Sequence, residues 1–122
     1  IRACSSARIH FYPMIETEPQ SYEIVIGAKS NTVTQIFRGA DKEDNEAVAE
    51  WSSPEVLHCY EYRTFWISWK SGTLVVAKNT GAGARIIEWQ DEEQLPIHAV
   101  SLSTGTGSHG EWKITRERSE HG

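Results

Sequence analysis

Five histidines, two cysteines, an acidic loop and one glycine-rich stretch are the residues whose chemistry could be put to work in this 122-residue chain. His10, His58, His98, His109 and His121 are scattered without metal-ligand spacing and read as surface or strand-edge residues. Cys4 and Cys59 cannot close a four-ligand zinc site alone, and they lack Cys-x-x-Cys spacing. They could pair, and in the chain-entropy model a bridge closing so long a loop stabilises by about 4 kcal/mol. Two buried free thiols are the alternative. A bridge would favour an extracellular home. Serines are plentiful, yet no Gly-x-Ser-x-Gly nucleophile elbow occurs, and Gly105-Thr106-Gly107-Ser108 only brushes past it. The segment Asp41-Lys42-Glu43-Asp44-Asn45-Glu46 gathers oxygens that attract Ca²⁺. It lacks the regular loop spacing and carries a lysine among its acids, so it reads as a solvated loop. These residues predict no catalytic set, no metal and no cofactor.

The five tryptophans offer binding chemistry instead. Trp89 ends a β-rich run and is followed at once by Gln90-Asp91-Glu92, while Trp51 precedes Ser52-Ser53-Pro54. An aromatic ring at a loop mouth beside Asp, Asn and Ser is suited to a sugar: the ring stacks on C–H faces and the polar groups take hydroxyls. The competing reading makes Trp89 one more core residue at the end of its strand. Trp69, with Phe65 and Ile67, and Trp112, with Ile114, are expected in the core.

Positioning these residues falls to strands, because the dominant period along the chain is two. Ala7, Ile9 and Phe11 alternate with Arg8 and His10, and Tyr22, Ile24 and Ile26 flank Glu23 and Val25. Thr32 to Arg38 is β-branched and aromatic, as strands prefer. The run 62–69, the short Lys70-Ser71-Gly72 turn and the run 73–77 predict a hairpin. Further strands are expected at 85–89, 99–102 and 111–115, and Ala47 to Trp51 reads as either a strand or one helical turn. Connectors fall at 39–45, 79–84, 91–96 and 103–110, and the charged tail 116–122 is expected to fray. Eight or nine short strands at this spacing predict an all-β, antiparallel β-sandwich of jelly-roll type, as a single domain over 1–122.

Composition excludes some partners. A formal net charge of -5 with no run of Lys or Arg makes nucleic acid and anionic membrane poor ones, since both need clustered positive charge. No apolar stretch approaches the roughly 20 residues needed to insert through a bilayer as a helix. The start, Ile1-Arg2-Ala3-Cys4, shows neither a signal peptide nor an initiating Met and reads as a mature protein or an excised domain. Nothing in the sequence specifies an oligomeric state.

The core segments also carry a resemblance. Cys4-Ser5-Ser6-Ala7-Arg8-Ile9 is followed by Tyr22-Glu23-Ile24-Val25-Ile26-Gly27 and Asn31. Then come Phe65-Trp66-Ile67-Ser68-Trp69, Gly72, Trp89-Gln90-Asp91, Val100-Ser101-Leu102-Ser103-Thr104 and Gly110-Glu111-Trp112. In this order and spacing they resemble the farnesoic acid O-methyltransferase-like domain of animal proteins, from about Ala3 to Ile114. The resemblance implies a β-rich module of secreted or cell-surface multidomain proteins, some of them complement-like. It brings no catalytic residue set with it. One departure is Gly27-Ala28-Lys29, where such domains often carry two glycines; a ligand approaching that backbone would find the space narrowed by Ala28.

The family's name implies S-adenosylmethionine chemistry on farnesoic acid. That cofactor is usually held by a doubly wound domain with a glycine-rich turn between strand and helix. The only superficial match, Leu74 to Gly83, runs into the strand-like Arg85-Ile86-Ile87-Glu88-Trp89 and reads as a hairpin loop. The expected function is therefore non-catalytic recognition of a glycan or a protein surface. The candidate loops are 29–31, 79–84, 89–92 and 108–109, with Asn31, Asn79, Trp89, Asp91 and His109 as ligand-binding residues. A methyltransferase and a structural module inside a larger complement-like protein are the alternatives.

Overall fold

A strand that buries one face must place every second residue in the core, and β2 (Ala7–Pro13) and β3 (Ser21–Gly27) do so. Ala7, Ile9 and Phe11 of β2 and Tyr22, Ile24 and Ile26 of β3 are buried. The computed structural model describes residues 1–13, 21–39, 47–79, 83–91, 97–104 and 110–112. The acidic loop, His109 and the tail expected to fray lie outside these residues.

The other strands are β1 (Arg2–Ala3), β4 (Val33–Gly39), β5 (Ala49–Ser52), β6 (Phe65–Ser68), β7 (Thr73–Lys78), β8 (Arg85–Gln90), β9 (Ile97–Thr104) and β10 (Gly110–Glu111). They form a five-stranded sheet in the order β5-β4-β3-β2-β9, a three-stranded sheet β6-β7-β8, and the small pair β1-β10. All pairings are antiparallel. The chain meanders through β2 to β5, meanders again through β6 to β8, and returns with β9 beside β2. The fold is all-β, as the period-two pattern predicts. The Ala47–Trp51 ambiguity resolves as the strand β5, with Trp51 opposite Thr34.

The core lies between the two larger sheets. Ile9, Ile24, Ile26 and Ile36 from one side meet Leu74, Val76 and Ile87 from the other, with Val56 and Leu57 closing an end. Burying each such side chain contributes about 1.5–3 kcal/mol. The expected hairpin is formed by β6 and β7 around a 3₁₀ turn, Lys70–Gly72. Phe65, Ile67 and Trp112 pack half-buried against the core. The expectation for Trp69 is corrected. Strand β6 ends at Ser68, and Trp69 takes φ -133°, ψ 36° ahead of the 3₁₀ turn, so the alternation breaks there. Its side chain is 42% exposed, resting against Phe11 with ring centroids 5.0 Å apart.

Cys4 and Cys59 form a disulfide. It ties the segment before β2 to the segment before β6, where Ala3 N–H also donates to the His58 carbonyl at 3.1 Å. With the two cysteines 55 positions apart in sequence, the chain-entropy model gives the bridge about 4 kcal/mol. Reduction is expected to lower the unfolding free energy by about that amount in urea titrations. An unchanged midpoint after complete reduction would contradict this.

Candidate functional site

Pairing in register sends the polar members of β2, β3 and β4 to the outer face of the five-stranded sheet. His10 lies opposite Glu23 and Ser101, Arg8 opposite Val25 and Ser103, and Gln35 opposite Val25 and Glu50. Here the surface sinks into a depression of about 280 Å³, whose lining includes Arg8, His10, Glu23, Val25, Gln35 and Phe37.

The floor is a bonded set. Arg8 Nη1 donates to Glu23 Oε1 at 3.2 Å, and His10 Nε2 shares a hydrogen bond with Ser21 Oγ at 2.8 Å. His10 Nδ1 stands 3.6 Å from Glu23 Oε2. Hydroxyl, imidazole and carboxylate in that order resemble an activated nucleophile. The 3.6 Å step, however, is too long for the hydrogen bond by which a carboxylate orients its histidine. What the set does is hold a largely buried carboxylate beside a guanidinium and an imidazole. Next to it Tyr12, 41% exposed, stacks on His10 with centroids 4.5 Å apart and planes 12° from parallel.

One rim is a strained turn, Ala28–Asn31. Lys29, Ser30 and Asn31 all have positive φ, at 51°, 60° and 64°. A left-handed conformation costs about 1–2 kcal/mol for each non-glycine residue, so something must hold it. Asn31 Nδ2 donates to the Leu57 carbonyl at 2.8 Å, and Leu57 N–H returns a bond to Asn31 Oδ1 at 3.0 Å. Glu55 N–H and Ser53 N–H add bonds to the carbonyls of Asn31 and Thr32, each at 2.9 Å. Gly27, at φ 69°, starts the turn; a Cβ there would meet Leu57 Cδ1 at 2.7 Å. The turn delivers Ala28 and Lys29 to the depression. Lys29 Nζ reaches Glu50 at 3.1 Å, and Gln35 Nε2 donates to the same carboxylate at 2.6 Å. These two bonds, Lys29's first, hold the Glu50 carboxyl below its usual titration range.

The residues expected to bind ligand do not converge on one place among the described residues. Asn31 is the clip on Leu57. Trp89 is half-buried, packed on the core in a T-shaped contact with Tyr22, ring centroids 6.1 Å apart. Asp91, only 7% exposed, accepts from Tyr22 Oη and, at 2.6 Å, from Arg38 Nε. This ion pair locks the end of β4 to the end of β8. Burial works against the Arg38 charge, but the bond and charge of Asp91 outweigh it and hold the guanidinium protonated. Asn79 is exposed at the end of β7, its N–H donating to the Thr64 carbonyl at 2.9 Å. The outer-face set of Arg8, His10, Glu23 and Gln35 was not singled out by sequence reasoning. Its signal lies in the polar members of the alternation, Arg8, His10 and Glu23, which local periodicity places on one face without showing what they meet there.

A family model described as Farnesoic acid O-methyl transferase matches residues 1–118. The chain belongs to the farnesoic acid O-methyltransferase family. No curated protein and no solved structure matches it. In this farnesoic acid O-methyltransferase family domain the stretch Phe65-Trp66-Ile67-Ser68 forms β6. Its glycine-rich stretch connects β7 to β8, which pair antiparallel with Val76 opposite Ile87. A strand–turn–helix cofactor cradle has a different geometry. Among the described residues no group of three His, Cys, Asp or Glu side chains could hold a metal ion, and no helix is long and apolar enough to cross a membrane.

If Asp91 acts within the fold, Asp91→Ala removes the buried carboxylate that accepts from both Arg38 and Tyr22 and should cost about 3–5 kcal/mol in denaturant titrations. A variant as stable as the parent would return Asp91 to the surface chemistry expected from the sequence.

Proposed function

We propose that this domain is a non-catalytic recognition module that binds a glycan on the outer face of its five-stranded sheet. The observation that carries the reading is the depression itself. Its polar side chains are held by one another before any ligand arrives, and the exposed Tyr12 ring, stacked on His10, stands beside it. Side chains fixed in advance lose little entropy on binding, and an exposed aromatic beside fixed hydrogen-bonding groups suits a ring with hydroxyls on its edge and C–H bonds on its faces. The Cys4–Cys59 disulfide supports an extracellular home, where such bridges persist. S-adenosylmethionine chemistry has less support, since the antiparallel β7–β8 hairpin occupies the stretch that would have to supply its cradle.

Protein recognition is the second reading, favoured by Tyr60. That side chain is 83% exposed beside the disulfide, close to Tyr62, whose ring carries the Arg2 guanidinium 5.0 Å from its centroid. Aromatic residues and arginine are enriched where proteins meet.

A glycan-array screen of the intact domain tests the proposal. Saturable binding is expected, weakened roughly tenfold by Tyr12→Ala and retained by Asn79→Ala. Loss of binding in Asn79→Ala alone would move the site to the loops. Binding to no glycan at high protein concentration would overturn the reading in favour of a protein contact at Tyr60.

A further inference from the structure

We infer that the depression takes a single neutral pyranose, gripped through a vicinal pair of hydroxyls by the Glu23 carboxylate. The inference rests on the glycan reading above and names the ligand class of that site.

Size is the first argument. Clefts for small ligands run from about 300 to 1,000 Å³, and this depression, at about 280 Å³, lies just below that range. It has room for one ring and not for an extended chain, whose further residues would lie over Tyr12 and β9 or leave the surface.

Charge is the second. Both cations at the depression already face carboxylates, Arg8 with Glu23 at 3.2 Å and Lys29 with Glu50 at 3.1 Å. An anionic sugar would have to compete with those partners and approach a chain of formal net charge -5. A neutral ring can add hydrogen bonds to these paired groups without replacing a carboxylate and meets no repulsion from the net negative charge.

Hydrogen-bond chemistry is the third. A carboxylate only accepts, and its two oxygens are spaced to take two donors at once. A vicinal diol offers two O–H donors at that spacing, and the same hydroxyl oxygens accept from the guanidinium of Arg8 and the amide of Gln35, both at the depression. The Glu23 side chain is 9% exposed and already bonded to Arg8, so its carboxylate is desolvated and oriented in advance. Val25 and Phe37 supply apolar wall for the ring's C–H bonds.

Calorimetric titration of the domain with methyl glycosides of neutral hexoses, their single-deoxy analogues and their uronic acid counterparts tests this. At least one neutral hexoside should bind saturably. Removing either hydroxyl of one adjacent pair should weaken it tenfold or more, and its uronic acid should bind at least tenfold more weakly. The deoxy series varies the ligand and leaves the fold untouched. On the protein side Glu23→Gln should weaken binding tenfold or more, with Gln35→Ala, at a half-buried outer position, as a second variant whose melting curve verifies the fold. Uronic acids binding as tightly as neutral sugars, or deoxy analogues binding as tightly as the parent, would overturn the inference while leaving glycan recognition standing. Binding of no glycoside, neutral or acidic, together with a blank array, would overturn both.

Discussion

Burial of one face of β2 and β3 is the constraint from which the rest of the molecule follows. Strand side chains alternate strictly, so committing Ile9, Phe11, Tyr22, Ile24 and Ile26 to the core commits Arg8, His10, Ser21 and Glu23 to one common outer face. A slip of a single residue would drive Glu23 and Arg8 into the core, at the cost of burying two charges among aliphatic side chains. The register is thus enforced from both sides. The same pairing that excludes water from Ile24 brings His10 and Glu23 directly opposite each other.

Three long-range ties hold the second sheet and the loops against that frame. The Arg38–Asp91–Tyr22 group joins β4, β8 and β3 across the core. The Asn31–Leu57 clip holds a left-handed turn that three non-glycine residues would not adopt unaided. The disulfide closes the end where β1 and the segment before β6 meet. Each ties residues 26 or more apart in sequence. This is why the strands, and the alternative that Trp89 is a core residue, were legible from local alternation while the long-range partners of Asn31 and Asp91 were not. A polar residue in a loop reads the same whether it faces solvent or a partner far along the chain. Trp69 failed for a local reason, since the backbone leaves the extended conformation one residue before the alternation would have buried it.

Membership of the farnesoic acid O-methyltransferase family describes ancestry and fold, and the chemistry must be argued from the residues. What the described residues assemble is a sheet face whose donors and acceptors are already paired among themselves, arranged around a hollow of about 280 Å³. Groups pre-positioned in this way lower the entropic cost of ordering side chains around a ligand. The strained turn fits that account, because its bonds to residues 53–57 hold Ala28 and Lys29 at the rim of the hollow rather than leaving them on a mobile loop.

The central claim is that this outer face, and not the loops at the ends of the sandwich, is where the domain meets its ligand. The most direct measurement is a two-dimensional ¹⁵N–¹H titration of the labelled domain with a neutral methyl hexoside. The account predicts saturable shifts confined to the backbone amides of Arg8, His10, Glu23, Gln35 and their strand neighbours. Shifts confined instead to Asn79 and the residues around Trp89, with β2 and β3 silent, would contradict it.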